Sequence, residues 1–241
     1  MTDQPAEMIT IDTEDGPMPA QLWRPAAGIG PGVVLLHEIF GISDYIQDRG
    51  RDLAALGYVV CAPDVYWRLD DREIDESRDD VLQQAMAVVQ RVDWPAAVRD
   101  MQAALSHVRG MIEVEGGVGL LGFCFGGGLA FNVAAVTGAA GAGPDALVSY
   151  YGSALPNLLG LAPQVSAPSL HHFGLSDDYI PVDTVREIEA AVTATHDDVT
   201  FLTYAGAGHA FDNPSPVFHH DGASQEAWAA TAAWLAERLP V

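Results

Sequence analysis

The sequence predicts an α/β fold built on a doubly wound, mostly parallel sheet with an antiparallel hairpin at its N-terminal edge. Three observations lead to this class. Apolar runs alternate with helical stretches, glycine or proline separates most of them, and only the first two strands alternate apolar with polar residues. Continuous aliphatic runs are typical of parallel strands that are covered on both faces. Because no internal repeat or long linker divides the chain, we expect one domain over residues 1–241.

The predicted elements follow from local residue patterns. Two alternating stretches, Met8–Glu14 and Ala20–Arg24, form the hairpin, with Asp15-Gly16-Pro17 as its turn. The other predicted strands are short apolar runs: Gly32–His37, Tyr58–Cys61, Val118–Gly122, Ala146–Tyr151, Ser169–Phe173 and Thr200–Tyr204. The predicted helices carry apolar residues at helical spacing: Asp44–Leu56, Val81–Val89, Ala96–Val108, Leu129–Val136, Val185–Val192 and Ser224–Leu239. This alternation is typical of βαβ units.

The charge balance excludes several functions. With 33 acidic and 11 basic side chains, the net charge of −22 has the wrong sign for nucleic acid or an anionic membrane surface. Every basic residue is arginine, which excludes Schiff-base chemistry on lysine and a Walker-type phosphate lysine. Two cysteines are too few for a disulfide framework, and the N-terminus lacks the basic region of a secretory signal. We therefore expect a cytoplasmic protein that binds neither nucleic acid nor membrane.

A nucleophile turn is predicted at Gly122-Phe123-Cys124-Phe125-Gly126, between a predicted strand and a predicted helix. This is the Gly-x-nucleophile-x-Gly pattern, with cysteine in the place that serine usually takes. So sharp a turn requires residues without Cβ on both sides of the nucleophile. The helix N-terminus adds a positive potential at the sulfur. By itself, the pattern fits equally well a glycine-rich turn around a core cysteine.

An acid and a base follow the nucleophile in the order that α/β hydrolases use. Asp177 comes shortly after the strand that ends at Phe173, and His209 comes shortly after the strand that ends at Tyr204. Both positions are at the carboxyl edge of the sheet, where Cys124 also lies. Taken separately, Asp177 could cap the next helix and His209 could be an ordinary histidine. Together with Cys124 they predict a Cys–His–Asp triad.

The first central strand ends at the same edge, in His37-Glu38-Ile39-Phe40-Gly41. The peptide N–H of Ile39 can then face that of Phe125, and the two could hold an oxyanion. Glu38 is predicted beside the thiol, although it could instead be a loop carboxylate in water. Phe40 is a candidate substrate contact.

These motifs resemble those of the dienelactone hydrolase family, also called carboxymethylenebutenolidases. The resemblance covers nearly the whole chain through these segments: His37–Gly41, Ala62–Tyr66, Gly122–Gly127, Asp177 with Ile180-Pro181, and Ala207–Phe211. It implies an α/β-hydrolase fold, a triad of Cys124, His209 and Asp177, and a Glu38 that takes the thiol proton when substrate binds. Activation only on substrate arrival would protect the thiol from oxidation.

The chain departs from the family where the resemblance implies arginines that bind a substrate carboxylate. Four residues beyond the histidine this chain has Asn213, and before the long helices Arg78 is the nearest candidate. The matching helix positions hold Leu82 and Met86, and Arg78 could simply be a solvated residue. Because a bidentate guanidinium is a strong partner for a carboxylate, its loss predicts a preference for neutral lactones or small esters.

The sequence therefore predicts a hydrolase that cleaves a lactone or carboxylic ester through an acyl-thioester on Cys124, with His209 activating the water. Hydrolysis of this kind needs no cofactor. The adjacent histidines His171-His172 and His219-His220 would point apart in a strand, so we expect no metal. The expected partner is a small-molecule substrate, and the expected state is a monomer or a small homo-oligomer.

Two alternatives remain open. One is a carboxylesterase or thioesterase that acts on uncharged acyl substrates. The other is a non-catalytic α/β protein in which Cys124 is a redox or ligand-binding thiol.

Overall fold

The computed structural model describes residues 5–194 and 197–241 of the chain. Eight strands lie in these residues: β1 (Glu7–Thr13), β2 (Gly16–Trp23), β3 (Gly30–Leu36), β4 (Val59–Pro63), β5 (Val114–Phe123), β6 (Ala146–Tyr150), β7 (Ser169–Gly174) and β8 (Val199–Tyr204). They form an eight-stranded sheet in the order β1-β2-β4-β3-β5-β6-β7-β8. The predicted α/β class with an N-terminal antiparallel hairpin is confirmed.

The sheet is antiparallel at one edge and parallel elsewhere. β1 pairs with β2 and β2 pairs with β4 in antiparallel register, with Ile9 opposite Ala20 and Leu22 opposite Cys61. All later neighbours are parallel. From β3 the chain first adds β4 on one side and later adds β5 on the other, so the strand order reverses at β3. Open α/β sheets place their binding sites at the carboxyl ends of the strands beside such a reversal.

Six α-helices lie in the described part of the chain, five between strands and the last after β8: α1 (Asp44–Ala55), α2 (Val81–Val89), α3 (Trp94–Gly110), α4 (Phe125–Ala139), α5 (Val182–Thr193) and α6 (Asp221–Arg238). The start of α3 follows from its sequence, because the Asp93 carboxylate accepts the Ala96 N–H at 3.0 Å and Pro95 occupies the first turn. Among the residues that the structure describes, no helix combines the length and apolar character needed to cross a membrane.

The core lies along the central strands. Every residue of β3, β4, β6 and β7 is buried, as expected for parallel strands that are covered on both faces. Helix α4 is also buried along most of its length, and it packs against β5 and β6. The helix that follows the nucleophile turn is therefore held from several sides.

Some element boundaries differ from the predicted ones. β2 begins at Gly16 and β5 begins at Val114, both earlier than the apolar runs indicate. Helix α4 begins at Phe125 rather than Leu129, so the three glycines 126–128 form its first turn. Glycine usually weakens a helix, but here its missing side chain permits close packing, since a Cβ at Gly126 would collide with the Leu36 carbonyl at the end of β3.

Candidate active site

Cys124 is the single residue between β5 and α4, and its backbone is strained. Its φ of 51° and ψ of −113° lie in a region that non-glycine residues rarely adopt. The Cys124 N–H donates to the Tyr150 carbonyl at 2.9 Å, and the Cys124 carbonyl accepts the Ser153 N–H at 3.0 Å. These bonds hold the turn in a conformation that presents the sulfur beyond the end of the sheet.

The flanking glycines allow the turn to close. A Cβ at Gly122 would overlap the Gly126 carbonyl, and a Cβ at Gly126 would overlap the carbonyls of Leu36 and His37. The turn therefore packs backbone against backbone, as the pattern Gly-x-Cys-x-Gly predicts.

The structure brings together the three residues of the predicted triad. His209 Nε2 lies 3.1 Å from Cys124 Sγ, and His209 Nδ1 lies 2.7 Å from Asp177 Oδ2. The other carboxylate oxygen, Asp177 Oδ1, accepts the N–H groups of Tyr179 at 2.7 Å and Ile180 at 3.0 Å. Because Asp177 is thus fixed by its own loop, it orients the imidazole towards the sulfur.

The electrostatic setting favours a protonated His209. Burial acts to lower the pKa of His209, but its interactions with Cys124 and Asp177 outweigh burial and raise this pKa to about 10. An imidazolium at this position can donate one hydrogen bond to Asp177 and another to the sulfur.

Two backbone N–H groups beside Cys124 are free to bind an oxyanion. Phe125 is the first residue of α4, so its N–H has no acceptor within the helix. Ile39 follows the end of β3. The peptide that carries its N–H is fixed at the Glu38 carbonyl, which accepts the Gly41 N–H at 3.2 Å and lies 2.7 Å from His37 Nδ1. Neither N–H group donates a hydrogen bond to any residue in the ranges 5–194 and 197–241. Ile39 and Phe125 both line the cleft that contains Cys124.

Glu38 also lines this cleft, but its side chain is almost entirely buried. Its Oε1 accepts a hydrogen bond from Asn213 Nδ2 at 2.6 Å. Burial raises the pKa of Glu38 to about 8, against the opposing effect of the Asn213 hydrogen bond. Glu38 is therefore not the water-exposed loop carboxylate that the sequence left open as an alternative.

The two candidate substrate-binding residues outside the motifs do not line the cleft. Arg78 is exposed, and its guanidinium pairs with the Asp80 carboxylate at 2.8 Å. Asn213 is buried beside Glu38, and its Oδ1 accepts the Ser215 N–H at 2.9 Å. Both side chains are thus committed to protein partners, and neither lines the cleft. Phe40, in contrast, lines the cleft, and its contact with substrate stays a prediction.

The cleft is about 170 Å³ in volume and largely apolar. Beyond Glu38, Cys124 and His209 it is lined by Ile39, Phe40, Leu82, Met86, Val89, Phe125, Ser153, Tyr179, Ala210 and Phe218. No arginine lines it within the described residues. Sequence reasoning missed Tyr179 and Phe218 as lining residues. Tyr179 lies inside the Asp177–Pro181 motif, which is a usable signal, whereas no local pattern distinguishes Phe218.

Elsewhere in residues 5–194 and 197–241, no group of three or more histidine, cysteine or acidic side chains is arranged to hold a metal ion. His172 contacts the hydroxyls of Tyr204 and Thr231 at 2.8 and 2.9 Å, and burial lowers its pKa to about 3. This histidine is a neutral core residue.

The sheet order, the strained strand-to-helix turn and the loops after β7 and β8 define an α/β hydrolase. Comparison with known proteins identifies the family. The model of the dienelactone hydrolase family matches residues 18–239. The carboxymethylenebutenolidase of Pseudomonas putida is 32% identical over 211 residues, which covers 87% of each chain. Carboxymethylenebutenolidase 1 of Cupriavidus pinatubonensis is 31% identical over 218 residues, or 90% of each chain.

A solved structure agrees with these relatives. A dienelactone hydrolase-like promiscuous phosphotriesterase from metagenomic libraries has a TM-score of 0.78 at 25% identity, and the match covers 98% of this chain and all of that one. The chain belongs to the dienelactone hydrolase family and is a lactone or ester hydrolase.

Proposed function

We propose that this enzyme hydrolyses its substrate through an acyl-thioester on Cys124, with His209 and Asp177 completing the triad. The observation that carries the proposal is the unbroken contact from Asp177 through His209 to Cys124 Sγ, at 2.7 and 3.1 Å, beside two unpaired N–H groups. Nucleophile, base and orienting acid are thus in hydrogen-bond reach of one another, which is the arrangement that nucleophilic catalysis requires.

In the acylation step, the Cys124 thiol gives its proton to Glu38, and the sulfur keeps the electron pair. The thiolate attacks the carbonyl carbon, and the N–H groups of Ile39 and Phe125 stabilise the oxygen that becomes negative. The carbon–oxygen ester bond then breaks, and protonated His209 supplies a proton to the leaving oxygen. In a lactone, this oxygen remains attached to the acyl group.

In the deacylation step, neutral His209 takes a proton from water, and the resulting hydroxide adds to the thioester carbonyl. The carbon–sulfur bond breaks, and the sulfur leaves as a thiolate that recovers its proton from Glu38. One water is consumed and one carboxylic acid is released. The chemistry uses only side chains, backbone N–H groups and water.

The cleft favours an uncharged substrate. Leu82 and Met86, one helical turn apart on α2, form part of its wall, where a carboxylate would need a cation. The missing bidentate partner would cost a carboxylate about 1.5–3 kcal/mol. We therefore propose neutral lactones or small esters as substrates, which also covers the carboxylesterase or thioesterase alternative.

The test compares a carboxylate-bearing lactone with its methyl ester and with an unsubstituted lactone. We expect a mass adduct on Cys124 with the neutral compounds, no adduct in Cys124→Ala, and a higher kcat/KM for the neutral compounds. If no compound forms an adduct, the non-catalytic thiol protein becomes the better account. A tenfold or larger preference for the carboxylate, about 1.4 kcal/mol, would refute the neutral-substrate proposal while leaving the thioester intact.

A further inference from the structure

The carboxyl group of Glu38 is held at one oxygen only. Oε1 accepts the Asn213 amide at 2.6 Å, whereas Oε2 receives no hydrogen bond from the part of the chain that the structure describes. The orientation of the amide is settled by a second contact, because Asn213 Oδ1 accepts the Ser215 N–H and must point away from Glu38. Glu38 thus has an uncharged partner on one side and a free oxygen in the cleft.

Asn213 is itself rigidly placed. It follows Asp212, whose buried carboxylate binds the Arg49 guanidinium through two contacts at 2.8 and 2.9 Å. Tyr45 and Ser224 donate their hydroxyls to the same carboxylate at 2.6 and 2.7 Å. Helices α1 and α6 therefore anchor the loop that carries both Asn213 and His209, and the Asn213 amide cannot readily move away from Glu38.

Within the described ranges, no arginine forms an ion pair with Glu38. The titratable groups that interact with Glu38 come from several elements: His209, Asp212, Glu76, Tyr45, Tyr66 and Tyr151. Of these, His209 favours the ionised carboxylate, whereas Asp212 and Glu76 oppose it. Arg49 pairs instead with the Asp212 carboxylate, at 2.8 Å.

We propose that Asn213 is a positioning residue that holds the Glu38 carboxyl group at the thiol through an uncharged hydrogen bond, so that thiol activation increases with pH. The inference rests on the proposed function, in which Glu38 takes the thiol proton. Only the ionised carboxylate can accept that proton, and the free Oε2 is the atom that would receive it. Burial raises the pKa of Glu38 to about 8, so the acylation rate rises as pH increases through that value.

The experiment measures single-turnover acylation from pH 6 to pH 10 with a neutral ester, in wild type and in three Asn213 variants. The quantity compared is the pH at which the acylation rate reaches half of its maximum, called the midpoint. Asn213→Arg places a cation beside Glu38 and should move this midpoint to lower pH by one unit or more. Asn213→Asp places a like charge there and should move it to higher pH. Asn213→Leu removes the hydrogen bond that favours the carboxylate and should also move it to higher pH. Below the midpoint, a one-unit shift is a tenfold change in rate.

Two controls separate positioning from structure. Asn157→Asp, on an exposed turn away from the cleft, adds the same charge as Asn213→Asp and should leave the midpoint unchanged. In a Glu38→Gln background, Asn213→Asp should no longer shift any pH midpoint, because the group that titrates is absent. Asn213→Leu and Asn213→Asp are close in size to asparagine, so at least one folded variant is expected by circular dichroism.

The outcomes are distinct. Opposite shifts for Asn213→Arg and Asn213→Asp that disappear in the Glu38→Gln background support the inference. If the pH midpoint of acylation stays within 0.3 pH unit of the wild-type value in every folded variant, the inference about Asn213 is overturned, even if Cys124 is still acylated. Absence of any Cys124 adduct at every pH would instead refute the proposed function.

Discussion

The two walls of the cleft are built differently. The sheet wall carries Cys124 and His209, with Asp177 behind the histidine. Cys124 and Asp177 are each fixed by two or more hydrogen bonds that involve the backbone, and their side chains are almost fully buried. The α2 wall consists of the lining residues Leu82, Met86 and Val89. Of these, Leu82 and Met86 are both 37% exposed. The residue before α2, Asp80, does not cap the helix, because its carboxylate accepts from the side chains of Arg78 and Gln84 rather than from a backbone N–H of the first turn.

From this difference we expect the two walls to have separate roles, one in the chemical step and one in the choice of substrate. The triad residues must be placed to a fraction of an ångström, and they lie on hydrogen-bonded loops at the carboxyl edge of the sheet. A displacement of these residues is expected to lower the reaction rate. The α2 wall supplies exposed apolar surface, which tolerates substitution with little cost in stability. We therefore expect changes on the sheet wall to alter turnover for every substrate, and changes on the α2 wall to alter which substrate is preferred.

The largest expected effect is that of Cys124→Ala. Removal of the sulfur should reduce turnover by about 10⁶-fold, as loss of the nucleophile does in other triad enzymes, for charged and neutral substrates alike. Alanine fits the space, so the thermal unfolding midpoint should stay close to that of wild type. Turnover by this variant comparable to that of wild type would refute the assignment of the nucleophile.

Cys61 supplies the matched control. It is a fully buried thiol in the middle of β4, and burial raises its pKa to about 12. Cys61→Ser places a hydroxyl among apolar residues and should lower the unfolding midpoint while leaving kcat per folded molecule unchanged. A large loss of kcat at unchanged stability would show that the wrong cysteine was assigned.

Asp177→Asn should have the next largest effect, a fall in kcat of about 10³–10⁴-fold. The amide can still accept from Tyr179 and Ile180, but its NH₂ group faces His209 Nδ1 and favours the wrong tautomer. Because Asp177 helps to raise the pKa of His209, this pKa should fall. His209 donates a proton only below its pKa, so the alkaline decline of the residual activity should move to lower pH.

The exposed neighbour Asp178 provides the control for this experiment. Asp178→Asn removes the same charge without touching the histidine, and its pH profile should match that of wild type. An equal fall in kcat in both variants would mean that net charge, rather than contact with His209, explains the effect.

Gly126→Ala tests the backbone packing of the sheet wall. The added Cβ meets the carbonyls of Leu36 and His37, so we expect a loss of stability of about 1–3 kcal/mol in urea unfolding. The N–H of Phe125 should also shift, lowering kcat for all substrates by a similar factor. Gly160→Ala is the control, because a Cβ there meets no atom within 4 Å. Normal stability of Gly126→Ala would show that the turn is looser than its contacts indicate.

The sequence predicts the sheet wall well and the α2 wall poorly, for physical reasons. Burial on both faces produces the continuous apolar runs of β3 and β4, and the end of each parallel strand has a known place at the sheet edge. The adjacency of Cys124, Asp177 and His209 follows from those two facts. The N–H groups of Ile39 and Phe125 lie within two sequence motifs, His37–Gly41 and Gly122–Gly126, so the sequence also predicts their place beside Cys124.

The contacts that sequence reasoning could not find all depend on how separate segments pack. Nothing near Asn213 indicates that its amide turns towards Glu38, because the partners are far apart in the chain and are brought together by the anchor on Asp212. The side of α2 that faces the cleft depends on the path of the charge-rich segment before it. Arg78 was a reasonable candidate by position, but a nearby carboxylate, Asp80, binds it at the surface.

The smallest expected effect is that of Leu82→Arg on the α2 wall. This variant should change the preference between charged and neutral substrates rather than the turnover of the neutral ones. Arginine has nearly the same helix propensity as leucine, and the partial exposure of position 82 lets the charged end reach water. A guanidinium at the cleft should raise kcat/KM for the carboxylate-bearing lactone by about tenfold, or about 1.4 kcal/mol, and change that of the methyl ester little.

Gln83→Arg separates contact from long-range attraction, since Gln83 is exposed on the same helix but does not line the cleft. A net charge of −22 repels anions from the whole molecule, so any added cation gives a small gain that disappears at high salt. The gain from Leu82→Arg should exceed that of Gln83→Arg and persist in 0.5 M salt, because the pair forms inside the cleft. Equal gains in both variants would mean that α2 does not select the substrate, and the division between a chemical wall and a selective wall would have to be abandoned.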